Sequence, residues 1–79
     1  MKVHTNTELL KEKISKSGLK QYEIAQKLNM HSVKITNFLN KILYPRLSEI
    51  YLLSIILNLS DEDIVKIFFS DLEKEDLND

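Results

Sequence analysis

Residues 19–41, LKQYEIAQKLNMHSVKITNFLNK, carry two short apolar patterns of helical spacing, separated by a polar break. Each pattern places three apolar residues on one face of a helix. These residues are Ile24, Ala25 and Leu28 in the first pattern, and Ile35, Phe38 and Leu39 in the second. Asn29 follows the first pattern directly. Because asparagine tolerates the left-handed backbone that ends many helices, we predict two helices with a sharp bend at Asn29.

This bend would bring the two apolar faces together, and the small side chain of Ala25 would let the helices approach closely. The outward side of the second helix would then carry mostly small polar residues. They are Ser32, Val33, Lys34, Thr36, Asn37 and Asn40. Such a face suits the groove of a partner better than a protein core. Two short helices joined in this way are typical of a helix-turn-helix.

The length and composition predict one small globular domain, because the chain has 79 residues and 43% apolar content. A single glycine and a single proline favour helices joined by short links. The lack of cysteine excludes disulfides and thiolate metal sites, and it suits a cytoplasmic protein. No apolar run approaches the ~18 residues of a membrane span, and the N-terminus lacks the apolar segment of a signal peptide. We expect no membrane association.

The net charge of −1 conceals an uneven distribution of charge along the chain. Residues 71–79 contain five acidic residues and one lysine, a net charge of −4. Residues 11–49 contain eight basic and three acidic residues, a net charge of +5. Since the local field steers a protein to phosphate more than its net charge does, the two-helix segment is a candidate for nucleic-acid binding. The alternative is that these lysines are ordinary solvated faces of helices.

A first helix is predicted in front of this pair, over about residues 6–16. Thr5 and Glu8 have the spacing of a capping box at its start, and Gly18 has the expected position for ending it. The whole chain then divides into three parts. They are a flexible arm at residues 1–5, a helical domain at residues 6–72 and an acidic tail at residues 73–79.

Two more helices are predicted behind the pair. The fourth follows Pro45 and runs to about Leu57, because proline cannot continue a helix interior. Its expected inward stripe is Leu47, Ile50, Leu53 and Leu57. The fifth begins at Ser60, a capping serine followed by three acids, and is expected to run to about Leu72.

A wider pattern of residues surrounds the predicted turn. It consists of Leu19-Lys20-Gln21-Tyr22-Glu23-Ile24-Ala25, Leu28-Asn29-Met30, Ile35-Thr36-Asn37-Phe38, Asn40, Pro45, Leu47, Glu49-Ile50, Leu53 and Leu57-Asn58-Leu59. In these residues the chain resembles the phage repressor and Cro type of helix-turn-helix domain, also called Xre-like, and with the flanking helices the likeness covers about residues 7–69. The resemblance implies an all-α, five-helix, lambda-repressor-like domain that binds double-stranded DNA as a homodimer on a palindromic operator.

The resemblance also implies which residues meet DNA. The family's base-reading positions fall here on Ser32, Val33, Thr36 and Asn37. Its positions for backbone contact fall on Gln21, Lys34, Asn40 and Lys41, and Gln21 also matches a glutamine that supports the start of the recognition helix. Four residues depart from the pattern. His31 replaces the usual serine or threonine, Asn29 the usual turn glycine, Leu39 a common glutamate and Lys41 a common glycine.

The chemistry of this face is compatible with reading bases. Asn37 can donate and accept together, as pairing with an adenine edge requires. Val33 and the methyl group of Thr36 can pack on a thymine methyl, and Ser32 can bond to base or phosphate, which favours A·T-rich half-sites. Further phosphate contacts are expected from the cationic residues nearby, with His31 binding more tightly when protonated. These residues are Lys20, His31, Lys34, Lys41 and Arg46.

Catalysis and metal binding have little support in the sequence. There is no Ser/His/Asp spacing, no glycine-rich phosphate loop and no pair of carboxylates in an apolar setting. His4 and His31 are far apart, and the acids that follow Ser60 are better explained as helix capping than as metal ligands. We expect no enzymatic activity, no metal and no cofactor.

The fourth and fifth helices carry more apolar residues than one small core needs. The surplus residues are Tyr51, Leu52, Ile55, Val65, Phe69 and Leu72. We expect them to form a two-fold dimer interface that sets two recognition helices about one DNA turn apart, roughly 34 Å. The alternative is that the first helix and the tail cover this surface within one chain.

The expected function is therefore a sequence-specific transcription regulator, a repressor of the phage or mobile-element type that reads the major groove with its third helix. Such a protein would work at the bacterial nucleoid in the cytoplasm. The alternative is a protein-interaction module on the same fold, such as an antitoxin or the partner of an anti-repressor, with helices four and five binding another protein.

Overall fold

The computed structural model describes residues 4–70, and these residues form helices joined by short turns, with no strand among them. The helices are α1 (Thr7–Ser17), α2 (Gln21–Lys27), α3 (Ser32–Leu39), α4 (Leu47–Ile56) and α5 (Asp61–Ile64), which continues as a π-helix (Val65–Phe69). The prediction of an all-α chain with five helices is confirmed for this part of the chain.

Each of the first four helices is followed by a residue in the left-handed conformation. These residues are Gly18 (φ 75°), Asn29 (φ 56°), Lys41 (φ 61°) and Asn58 (φ 53°). After α2, α3 and α4 the next amide turns back to a helix carbonyl. The bonds run from Met30 N to Ala25 O (2.9 Å), from Ile42 N to Asn37 O (2.9 Å) and from Leu59 N to Ser54 O (2.8 Å). This pattern satisfies the last carbonyls of a helix while reversing the chain, and it confirms the bend predicted at Asn29.

The start of α1 differs from its prediction. Asn6 caps the helix, because its side-chain oxygen accepts a hydrogen bond from Leu9 N (3.2 Å), so the predicted capping box of Thr5 and Glu8 is wrong. The reason lies outside the helix. The Asn6 N–H donates to the carbonyl of Ile67 (2.7 Å), and Thr5 is buried, so the chain is already held against the π-helix before α1 begins.

One core holds the helices together. Its buried residues come from α1 to α4 with their C-terminal caps and from the π-helix, and they are Leu10, Ile24, Ala25, Leu28, Ile35, Phe38, Ile50, Leu53, Leu57, Ile67 and Phe68. Leu47 was expected in this core but is 74% exposed. At 100° per residue, Leu47 lies about 60° from Ile50 around the helix, on the side away from Leu53. It is also the first residue of α4, so the core does not extend to it.

The fifth helix is also not the continuous α-helix that was predicted. Its start is as expected, since Ser60 Oγ accepts from Asp63 N (3.0 Å) and the Asp63 carboxylate accepts from Ser60 N (3.1 Å). From Val65 to Phe69 the helix takes the π register. Two carbonyls in this segment receive donors from elsewhere in the chain, Ile67 from the Asn6 amide and Phe68 from the Tyr44 hydroxyl. Such insertions into a helix ladder accompany π-bulges.

Lys41 provides a test of the turn that ends α3, because a lysine in the left-handed region is strained where glycine is not. We expect Lys41→Gly to raise the free energy of unfolding by about 0.5–1 kcal/mol in urea denaturation, since the relief of strain exceeds the entropy that glycine adds to the unfolded chain. Asn29→Gly is the matched control and should change stability less, because asparagine already tolerates this backbone. A Lys41→Gly variant less stable than wild type would contradict the account.

Candidate nucleic-acid interface

α3 is held on its inner side by the two preceding helices. Ile35 and Phe38 of α3 are 2% and 1% exposed and join the core that Ile24 of α2 and Leu10 of α1 also enter. α3 packs against both of these helices. This inner packing follows from the apolar spacing of the sequence and fixes which side of α3 faces away from the protein.

Gln21 ties the first residue of α2 to the first turn of α3. Its side-chain Nε2 donates to the carbonyl of Ser32 (3.1 Å) and to the hydroxyl of Thr36 (2.5 Å). The Thr36 hydroxyl donates in turn to the Ser32 carbonyl at a longer 3.4 Å. The support of α3 by Gln21 that the family resemblance implies is therefore present as direct hydrogen bonds.

The four residues expected to read bases share one side of α3. At 100° per residue they lie within an arc of about 140°. Ser32 and Val33 are exposed, Val33 by 63%, while Thr36 and Asn37 are half-buried. Because Gln21 engages the hydroxyl of Thr36, the methyl group is the part of that side chain suited to an apolar contact. The arc carries no charged residue.

The residues expected to contact phosphate divide into two groups. Five are exposed at helix ends and turns: Lys20, His31, Asn40, Lys41 and Arg46. Gln21 and Lys34 are half-buried and already engaged within the protein. His31 occupies the N-cap position of α3 without a hydrogen bond from its side chain to that helix. At the start of α2, the Lys20 N–H donates to the Glu23 carboxylate (2.8 Å), which places an acid on that helix end.

Glu49 is a structural residue of this region, although the sequence predicts no site role for it. Its side chain is 11% exposed; Oε2 lies 2.6 Å from Lys34 Nζ, and Oε1 accepts the N–H of Arg46 (2.7 Å). Burial raises the pKa of Glu49, but the hydrogen bonds from Lys34 and from the Arg46 amide outweigh it and hold this pKa below its usual value. Glu49 lies three residues after Arg46, the N-cap residue of α4, which is the spacing of a capping box. This spacing is the sequence signal that could have identified Glu49 as a capping residue.

A second exposed surface runs along α4, and we call it the α4 outer face. It consists of Leu47, Ser48, Tyr51, Leu52 and Ile55, all exposed and none charged. Tyr51, Leu52 and Ile55 belong to the expected dimer interface, and Leu47 adds to it. Val65 is 37% exposed, whereas Phe69 is half-buried and packs against the core, and Leu72 lies outside the described residues. The apolar surplus is therefore concentrated on α4.

Comparisons of the chain with protein-family models, with curated proteins and with solved structures give no match. Within residues 4–70, no group of three or more histidine, aspartate or glutamate residues is placed to hold a metal ion. The helices of the same part of the chain are all too short or too polar to cross a membrane. The assignment of a function therefore depends on the geometry of the two surfaces.

Stability at low pH should report the ion pair of Glu49. Because the folded state lowers the pKa of Glu49, its contribution is complete above the unfolded value of about 4.5 and is lost as pH falls through the folded value. We expect Glu49→Gln to lose less stability than wild type between pH 6 and pH 3 in urea denaturation. Lys34→Met should likewise lose less stability than wild type over this pH range, because it removes the side chain that pairs with Glu49. Identical profiles for Glu49→Gln and wild type would show that the pair is not formed.

Proposed function

We propose that the chain is a lambda-repressor-like helix-turn-helix domain of the Xre-like type, and that it binds double-stranded DNA sequence-specifically to regulate transcription. The observation that carries this proposal is the outward arc of α3, on which Ser32, Val33, Thr36 and Asn37 stand together without charge. α1 and α2 support the opposite side of α3. A short helix that is held from behind and presents small polar groups is suited to a groove.

The dimensions and the chemistry of α3 fit the major groove. An α-helix about 10–12 Å in diameter fills a groove about 12 Å wide. In the proposed complex Asn37 pairs with an adenine edge, and Val33 and the methyl group of Thr36 contact thymine methyls. Ser32, in the first turn of the helix, is placed for a base or phosphate at the groove edge. These partners favour A·T-rich half-sites.

The phosphate contacts come from side chains around this arc. Lys20 lies before α2, and Lys41 and Arg46 lie on either side of the turn that follows α3. All three are exposed, so they can approach phosphates from solvent. His31 and Asn40, at the two ends of α3, add polar contacts. Such contacts supply affinity and register, whereas the bases supply specificity.

The α4 outer face supports a homodimer as the working unit. Tyr51 lies at its centre, one helical turn from Leu47 and one from Ile55. Two copies of α4 packed antiparallel around a two-fold axis at Tyr51 would place Leu47 of each copy against Ile55 of the other. A repressor of the phage or mobile-element type needs this symmetry to place two copies of α3 on a palindromic operator. Leu47 joins the expected interface and Phe69 leaves it, because Phe69 is half-buried and packs against the core.

Selection of bound sites from random double-stranded DNA tests the function directly. We expect an A·T-rich consensus with two-fold symmetry, and an affinity that falls steeply between 50 and 200 mM salt. Asn37→Ala should cost about 1–3 kcal/mol and relax the preference at one base pair of each half-site. Glu12→Ala is the control, since Glu12 is exposed on α1, away from the proposed face.

Two outcomes would argue against DNA binding. One is the recovery of no enriched sequence, and the other is an affinity for DNA that is insensitive to salt. The exposed α4 outer face would then favour the second candidate function, a protein-interaction module whose partner covers that face.

Sedimentation of a Tyr51→Lys variant tests the dimer. Tyr51 is 65% exposed, so the substitution should leave the fold intact while placing a charge at the centre of an apolar contact. We expect wild type to sediment as a dimer and the variant as a monomer with at least tenfold weaker binding to a palindromic site. Ser15→Lys, which adds a lysine on the exposed side of α1, should remain dimeric. An unchanged mass for Tyr51→Lys would reject this interface.

A further inference from the structure

Lys34 stands apart from the other cations of the proposed interface because its ammonium is already paired. Its Nζ lies 2.6 Å from Glu49 Oε2, and the two side chains are 32% and 11% exposed. The other carboxylate oxygen of Glu49 accepts the Arg46 N–H, so Glu49 is fixed to the first turn of α4. The pair therefore links the middle of α3 to an anchored carboxylate.

A DNA phosphate could use Lys34 only by taking it from Glu49. The carboxylate would then keep one backbone hydrogen bond and lose its countercharge in a position with little access to water. Removing one member of a desolvated pair is costly because it leaves the other charge uncompensated. Lys20 and Lys41 are exposed and carry no such cost, so phosphates should engage them in preference.

The position of Lys34 on α3 explains what the pair can do. On a helix with 100° per residue, Lys34 lies about 160° from Ser32 and about 160° from Thr36, the two residues that Gln21 holds. Gln21 thus holds α3 on one side of the outward arc, through Ser32 and Thr36, and Glu49 holds it on the other side, through Lys34. Two attachments on opposite sides oppose a rotation of the helix about its own axis, in addition to the packing of Ile35 and Phe38 in the core.

From this geometry, and resting on the proposed DNA-binding function, we infer that Lys34 and Glu49 are positioning residues. Their ion pair fixes the rotation of α3 and so aims Val33 and Asn37 at the bases, and Lys34 makes no phosphate contact. This reverses the role that the family resemblance implies for Lys34. Specificity for sequence, rather than general affinity for DNA, depends on the pair.

Glu49→Gln provides the sharpest test, with binding to the selected DNA and to a single-mismatch site measured from 50 to 200 mM salt. Glutamine keeps an oxygen for the Arg46 N–H but releases Lys34, which can then reach a phosphate. We expect discrimination against the mismatch to fall at least about threefold and the slope of log affinity against log salt to steepen by up to about one. Lys34→Met should lower discrimination without changing the slope, and Lys34→Arg should restore it.

Lys20→Met is the control for an ordinary phosphate contact. It should reduce the salt slope by about one and leave discrimination unchanged. If Lys34→Met behaves in this way, or if Glu49→Gln alters neither slope nor discrimination, the inference is overturned while the DNA-binding function stands.

A double-mutant cycle measures the pair without DNA. We expect Lys34→Met and Glu49→Gln to be coupled by about 3- to 30-fold in the unfolding equilibrium constant. The exposed pair Lys66 and Glu62, 2.9 Å apart, should be coupled by less than about twofold in Lys66→Met and Glu62→Gln. If wild type binds no DNA, the proposed function fails, and this cycle alone decides whether the pair holds α3. Coupling no larger than that of the exposed pair would overturn it.

Discussion

The path of the chain is set by a left-handed residue after each of the first four helices. At Asn29 it stops α2 after seven residues and turns the chain so that Ile35 of α3 meets Ile24 of α2 in the core. Without this reversal, the apolar patterns of α2 and α3 would continue as one helix that no core of this size could cover. The same left-handed conformation at Gly18, Lys41 and Asn58 lets the helices of residues 4–70 pack around one core.

The parts of the fold that were predictable from the sequence are those set by local chemistry. Asparagine after an apolar residue, glycine after a helix and serine before three acids each fix a helix end within a few residues, and each prediction was right at Asn29, Gly18 and Ser60. The sequence could not reveal features made by distant partners. The carbonyls of Ile67 and Phe68 in the π-helix accept hydrogen bonds from Asn6 and Tyr44, which lie far from it in the chain.

The candidate site shows the same division. The outward position of Ser32 and Val33 follows from helical spacing alone. The engagement of Lys34 by Glu49 does not, because fifteen residues and a turn separate them and only the packed structure brings their charges together. Leu47 shows a second limit of prediction from helical spacing. It is apolar and lies one turn from the core residue Ile50, yet it is exposed because the core ends before it. An uncharged outward arc on α3, exposed cations at Lys20, Lys41 and Arg46 and an apolar face on α4 are the three surface features that support the proposed function.

The most direct test of this account is an NMR titration of the isotope-labelled protein with its selected DNA. We expect the largest changes in amide chemical shift on Ser32, Val33 and Asn37 and at the start of α2. Changes confined to the α4 outer face or to the π-helix, with α3 unaffected, would contradict this expectation.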